Sequence, residues 1–304
     1  MSGGLGRFVL NLSDRSATRK LFTQTSAGRK LSLRFVAGET LDQAVTAAVH
    51  LNASGALVSL DHLGEHVAEA TAAEAARDDY LACLERIGSE GIDANISVKL
   101  TQLGLGFDDR LAAESLAALA DRARSVGTTV SIDMEESTYT DATLEAFEAV
   151  QNRFGNVGVA VQAYLYRARA DVDRLIRRGG QIRLCKGAYA EPPEIAFAKK
   201  SDVNRNFDAL TRVLMRSPEV TPAIATHDEE RIDFARRLGG MRQRPWEFQM
   251  LYGVRPTLQR QLISDGYPLR VYLPYGSAWY PYLTRRLAER PANLGFFLWA
   301  ASRR

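Results

Sequence analysis

The chain's strongest constraint on fold is a rhythm. From about residue 40, short β-branched or apolar runs alternate with amphipathic stretches of roughly 10 to 17 residues. Strand-like runs fall at residues 56–60, 96–100, 129–134, 157–163, 181–186, 222–227, 246–251 and 269–274. Helical spacing fills the gaps, for example at 39–52, 78–88, 111–123, 141–152 and 203–215, and returns at 280–290 after the last strand. Strands separated by helices of this length imply βαβ units and a parallel sheet. About eight such units in some 250 residues favour a closed (βα)8 TIM-type barrel of the α/β class over an open doubly wound sheet. No linker rich in Pro, Gly or Ser interrupts the run. One barrel domain is therefore expected over 39–304, preceded by a basic helical arm over 1–38.

Nearly every strand also ends on a polar side chain: Asp61, Lys99, Asp133, Gln162, Lys186, His227, Gln249 and Tyr272. A buried strand does not spend a charge at its end unless that end opens onto a site. In a barrel these ends converge on one mouth, where active sites lie. Lys99, Arg183, Lys186 and the adjacent pair Arg285-Arg286 supply cations there, against Asp133 and Asp61 or Glu65. That excess calls for an anionic ligand, a carboxylate or a phosphate. Arginine grips a carboxylate through its planar fork. An isolated Arg-Arg pair is more often a solvated face, but this one sits on the helix that follows the eighth strand. Tyr272, Tyr275, Trp279, Tyr280 and Tyr282 crowd its approach, which suits a small ligand with a carboxylate head and an apolar body. Core packing is the competing explanation for those rings.

Lys99 and Lys186 each admit a second role, as a Schiff-base lysine. Lys186 followed by Gly187 and Ala188 equally suits a phosphate, because small residues let backbone N–H groups approach closely. His62 and His66 stand four apart, but without HExxH they fit a polar loop better, and no metal is expected. No GxGxxG precedes a helix, so a Rossmann dinucleotide site is not indicated.

Composition narrows the partners. The 304 residues carry 46% hydrophobic and 25% charged side chains, with a formal net charge of +3. That charge is too small to imply nucleic acid. Two isolated cysteines make neither a disulfide framework nor a metal motif. No apolar run approaches the roughly 18 residues of a membrane span, and no secretory leader is expected. Residues 1–34 are unusual, with Arg7, Arg15, Arg19, Lys20, Arg29, Lys30 and Arg34 against Asp14 alone. Such a segment resembles a mitochondrial presequence. A basic helix packed on the domain, or touching an anionic membrane, explains the same residues and is the expectation kept.

Several stretches together resemble the proline dehydrogenase family. They are RFVAGET (34–40), LGE (63–65), SVKLTQLG (97–104), IDME (132–135), VAVQAY (159–164), IRLCKGAYAE (182–191), ATHD (225–228), EFQMLYGVR (247–255) and RVYLPYGSAWYPYLTRRLAERPAN (270–293). They follow the family's order and cover nearly the whole chain from residue 34; the monofunctional bacterial type is the best match. The resemblance implies a (βα)8 barrel with extra N-terminal helices and a final helix over the mouth. It implies non-covalent FAD and oxidation of L-proline to Δ1-pyrroline-5-carboxylate, with electrons passing to a membrane quinone and a downstream pyrroline-5-carboxylate dehydrogenase taking the product. A cytoplasmic protein held peripherally at the inner face of a bacterial membrane follows, a mitochondrial one less readily. By position, Lys99, Arg285 and Arg286 would hold the proline carboxylate. Tyr272, Tyr189 and Leu251 would pack on the ring, and Glu65 would pair with Arg286 as a gate. Met134, Gln162, Arg183, Lys186, Gly187, Ala188, Thr226 and His227 would contact the flavin. Asp133 and Arg183 are the catalytic expectation, Asp133 orienting the cations and Arg183 near flavin N5. Asp228 departs from the family's usual asparagine, which leaves the partner of His227 open.

Overall fold

A computed structural model describes residues 33–283. The arm up to residue 32, and the segment from 284 that carries Arg285 and Arg286, lie outside the described residues. The expected helical arm and clamp therefore fall outside them too.

Eight parallel strands close into one barrel in chain order: β1 (Leu57–His62), β2 (Ala94–Val98), β3 (Val130–Ile132), β4 (Val157–Gln162), β5 (Gly180–Cys185), β6 (Val220–Ala225), β7 (Glu247–Leu251) and β8 (Leu269–Tyr275). Closure is made by β8 pairing with β1, Ser59 opposite Tyr272. The helices are α1 (Leu41–Ala53), α2 (Ala70–Glu90), α3 (Asp109–Ser125), α4 (Thr140–Phe154), α5 (Ala168–Ile176), α6 (Lys200–Arg216), α7 (Glu229–Gly239) and α8 (Pro256–Ser264). A further helix starts at residue 279.

Local chemistry accounts for the helix ends. Thr40 opens α1 with a capping box: its hydroxyl accepts the Gln43 N–H, and the Gln43 carboxamide accepts the Thr40 N–H. Gly91, in left-handed conformation, closes α2. That helix starts eight residues before the apolar spacing predicts. Its first turns read ATAAEAA, which favours helix by propensity yet carries no large apolar stripe to betray it.

The side-chain alternation of the strands divides the barrel into two layers. Val58, Leu60, Ile96, Val98, Val130, Ile132, Ile182, Leu184, Ile224, Phe248, Met250, Val271 and Leu273 are fully buried in the apolar core shared with the helices. The alternate residues point the other way, and they are largely polar: Ser59, Asp61, Asn95, Ser97, Ser131, Arg183, Glu247 and Gln249 are all buried. Strand β5 pairs only with β4 and β6, yet the Arg183 guanidinium reaches Ser97 on β2, Ser131 on β3 and Gln249 on β7. Only a path across the barrel interior allows that. Ala160 and Ala223, its register partners on the two flanking strands, are small enough to leave the room.

The helix layer makes a direct prediction. Phe207 on α6 is fully buried, whereas Met241 is 70% exposed. Phe207→Ala is expected to lower unfolding free energy by about 3–5 kcal/mol in urea titrations. Met241→Ala should stay within about 0.5 kcal/mol of wild type.

Candidate active site

The polar interior is one connected ion-pair network. Lys99 Nζ donates to Asp61 Oδ1 at 3.0 Å, to Asp133 Oδ2 at 3.3 Å and to Tyr272 Oη at 3.4 Å. Tyr272 Oη donates to Asp133 Oδ2 at 2.6 Å, and Ser97 Oγ to Oδ1 at 2.8 Å. Arg183 also donates to Asp133 Oδ1, and its Nε donates to Gln249 Oε1 at 2.6 Å. Gln249 passes a hydrogen bond to Glu247, which takes a fork from Arg270 at 2.8 and 3.1 Å. Three cations thus face three carboxylates, the condition under which buried charge is tolerated. The Arg183 guanidinium also lies 5.3 Å from the Tyr272 ring centroid, a cation–π contact.

Proton affinities follow from this arrangement. Burial works to lower the Lys99 ammonium, but Asp61 and Asp133 beside it outweigh burial and hold it well above the ordinary lysine range. A Schiff-base lysine must lose its proton to attack a carbonyl. Lys99 is therefore built as a fixed cation and not as that nucleophile. Burial works to raise the Asp133 carboxyl, yet Lys99, Arg183 and the hydrogen bonds from Tyr272 and Ser97 bring it down to about 2. Asp61 goes the other way. Burial dominates and lifts it above the usual carboxylate range, and its Oδ2 has no hydrogen-bond partner. Burial, then Asp133 and Asp61, push the Tyr272 phenol well above 10, so it stays a donor.

The predicted site residues fall on two halves of the rim. Met134 follows β3, Gln162 ends β4, Lys186 to Ala188 follow β5, and Thr226-His227 follow β6. These expected flavin contacts occupy four adjacent strands. Glu65 lies in the loop after β1, Lys99 follows β2, Leu251 ends β7 and Tyr272 is in β8. Those expected substrate contacts take the remaining four. Asp133, just after β3, touches the first half through Arg183 and the second through Lys99. Tyr189 is half-buried in the loop after β5, away from the other expected ring contacts in sequence. Lys99, Asp133, Lys186 and His227 were expected inside strands, and each lies just past one. They lie beyond the last paired residue, Lys99 with its backbone still extended, and so stand at the rim.

Lys186 donates to Asn204 Oδ1 and to Asp228 Oδ2, both at 2.6 Å. Gly187 beside it has φ +111°, and an added Cβ would sit 2.2 Å from the Tyr164 ring, so glycine is required. His227 takes the Leu251 N–H on Nε2 at 3.0 Å, which answers part of the question about its partner and ties β7 to the loop after β6. The rim fits a flavin dinucleotide in the chemistry of its donors: a lysine beside a glycine turn for a diphosphate, and buried Gln162, Thr226 and Arg183 for a polar ring.

Other expectations are redistributed. Tyr275 faces outward, its hydroxyl 2.6 Å from Cys83 Sγ on α2 and its ring stacked on His62. Trp279 donates to Glu39 at 3.0 Å. Both are packing aromatics, whereas the Tyr272 hydroxyl reaches the network inside the barrel. His62 pairs with Asp79, while His66 turns to Glu136, so the two histidines do not converge on one point. Among the described residues, His66, Glu135 and Glu136 lie close enough to hold an ion, but both Glu135 oxygens already accept from Thr101. Ser97, Ser131, Glu247 and Arg270 were missed. Their signal was a polar residue two places before each recognised one, in strands otherwise covered on both faces.

A barrel whose C-terminal mouth holds such a network belongs to the α/β-barrel enzymes, and comparison with known proteins makes the class definite. The family model described as proline dehydrogenase matches residues 44–298, and the chain belongs to that family. Proline dehydrogenase 1 of Bacillus subtilis subsp. natto is 36% identical over 295 residues, covering 96% of this chain and 97% of its own. Proline dehydrogenase of Deinococcus radiodurans is 37% identical over 296 residues, with 95% and 94% covered. The crystal structure of proline utilization A (PutA) from Bdellovibrio bacteriovorus, inactivated by N-propargylglycine, shares the fold with a TM-score of 0.81 at 23% identity. The match takes in 86% of this chain and 33% of that one.

The Asp133 carboxyl gives a pH signature. Held at about 2 in the folded protein against roughly 3.9 unfolded, it stabilises the fold fully above the unfolded value. That contribution, about 2–3 kcal/mol, is lost as pH falls from about 4 through about 2. Asp61, raised instead of lowered, acts with the opposite sign. Asp133→Asn is expected to be less stable at pH 7 and to lose less of its remaining stability between pH 5 and pH 2, as read from urea midpoints. An acid limb as steep as that of wild type would contradict the assignment.

Proposed function

We propose that the chain oxidises L-proline to Δ1-pyrroline-5-carboxylate with FAD, and passes the electrons to a membrane quinone. The observation that carries this reading is the divided rim, with cofactor chemistry on β3–β6, substrate chemistry on β7–β2, and Asp133 shared between them. Lys99, together with Arg285 and Arg286, holds the proline carboxylate. Tyr272, Tyr189 and Leu251 bound the ring, and Glu65 pairs with Arg286 over the opening. Met134, Gln162, Arg183, Lys186, Gly187, Ala188, Thr226 and His227 hold the flavin, which when bound supplies a two-electron acceptor for hydride.

The protein's own part is orientation and electrostatics. Asp133 keeps Lys99 and Arg183 protonated and aimed, so a carboxylate meets a preformed cation and need not recruit one. Arg183 would hold a fixed positive charge beside the flavin ring, the sign that favours its accepting electrons. A Schiff-base aldolase is the alternative, and the protonated state of Lys99 weighs against it. Among the described residues no helix is long and apolar enough to cross a membrane. The basic N-terminal segment is the proposed contact with an anionic bilayer at the cytoplasmic face, where the quinone is met and pyrroline-5-carboxylate is released to the dehydrogenase that consumes it.

Purified protein should be yellow, with the two visible bands of oxidised flavin, and should bleach anaerobically on addition of L-proline. A colourless protein inactive with proline would end the proposal, and borohydride trapping of a carbonyl substrate would replace it. Arg285→Ala and Arg286→Ala should each raise KM for proline roughly ten- to a hundredfold, the weight of one or two charge-assisted hydrogen bonds. An unchanged KM in both would remove the clamp.

A further inference from the structure

The rim carries a second ion pair, separate from the network inside the barrel. Lys186, just past β5, is held between Asn204 Oδ1 on α6 and Asp228 Oδ2 at the head of α7, each at 2.6 Å. Asp228 is fixed in place in turn. Its backbone N–H donates to Thr226 Oγ1 at 3.2 Å. Arg231 approaches its carboxylate at 3.5 Å, but that guanidinium is already committed to Asp208 by two bonds of 3.1 Å. The charge of Asp228 therefore falls chiefly on Lys186. Burial works to raise the Asp228 carboxyl, and the hydrogen bond and charge of Lys186 then bring it below its usual range, so it is ionised at neutral pH.

Within this group two cations, Lys186 and Arg231, face three anions, Asp228, Asp208 and the exposed Glu230, which takes Arg231 Nη1 at 2.7 Å. A diphosphate arriving at the Gly187 turn meets one lysine whose charge is already offset. Two of the three Lys186 protons are occupied. We propose that Asp228 sets the strength with which the protein holds the diphosphate of its cofactor, acting through Lys186 as a positioning residue that fixes the ammonium while cancelling much of its field. This rests on the flavin reading above. Position and charge are separable in this pair, because asparagine keeps the hydrogen-bonding oxygen and drops the charge.

The test uses full-length protein stripped of flavin and titrated with FAD and with riboflavin, which lacks phosphate, following flavin fluorescence at several salt concentrations. Asp228→Asn should bind FAD on the order of tenfold more tightly than wild type, the effect of removing one unit charge near a diphosphate at an effective dielectric of about 20. The gain should shrink as salt rises, and riboflavin affinity should stay put. A variant that binds FAD no better than wild type overturns the proposal, and so does an equal gain for riboflavin. Lys186→Gln reads the same pair from the other side: weaker FAD binding with riboflavin unchanged supports the proposal, and undiminished FAD binding sinks it. If wild type and both variants bind neither flavin, the flavin reading itself fails and takes this proposal with it.

Discussion

One carboxylate holds together the two cations on which the barrel mouth depends. Asp133 accepts from Lys99 on one oxygen and from Arg183 on the other, with Tyr272 and Ser97 completing its shell. Remove it, and the Lys99 ammonium keeps Asp61 alone, while the Arg183 guanidinium keeps no carboxylate in direct contact, since Glu247 reaches it only through Gln249. Losing one partner of a buried pair typically costs about 3–5 kcal/mol, because the other charge stays behind. The small residues around Arg183 follow from the same constraint: a guanidinium can cross the barrel only where Ala160 and Ala223 leave space. Many barrels fill this volume with branched apolar side chains. Here hydrogen-bonded charge fills it, rigid in proportion to how fully it is satisfied.

The architecture was legible because two periodicities alternate in the chain. Strand positions came within a few residues, and the order and closure followed from eight repeats. The main misjudged boundary was the start of α2, where alanine favours helix without announcing a buried face. β2, β3, β4, β5 and β6 each end one or two residues before the sequence predicts, since nothing local distinguishes the last paired residue from the first one past it. Of the site, the charged strand ends were legible as a group. Their partners were not: that Arg183 reaches β2, β3 and β7 depends on barrel closure, and no spacing along β5 contains it. Tyr275 shows the converse error. It lies three residues after Tyr272 on the same strand, which puts it on the opposite face, against Cys83 and His62. The alternation that reveals the strand also assigns that ring to packing.

The resemblance and the geometry answer different questions. Family membership rests on matched sequence and gives the class of chemistry. The hydrogen bonds say how this chain arranges its own groups: Lys99 protonated among acids, Lys186 balanced by Asp228, His227 accepting from the backbone of β7.

The ring of strands has one further consequence. The two halves proposed for its rim meet at two seams, bridged by Lys99–Asp133 between β2 and β3 and by Leu251–His227 between β6 and β7. The turns leaving these four strands must keep their length, since an added residue would unfasten both halves together. Turns leaving β1, β4 and β8 each serve one half only, whereas the turn after β5 carries both Lys186 and Tyr189. Variation in loop length among descendants of this barrel should therefore gather at those three exits, and the seams should drift least.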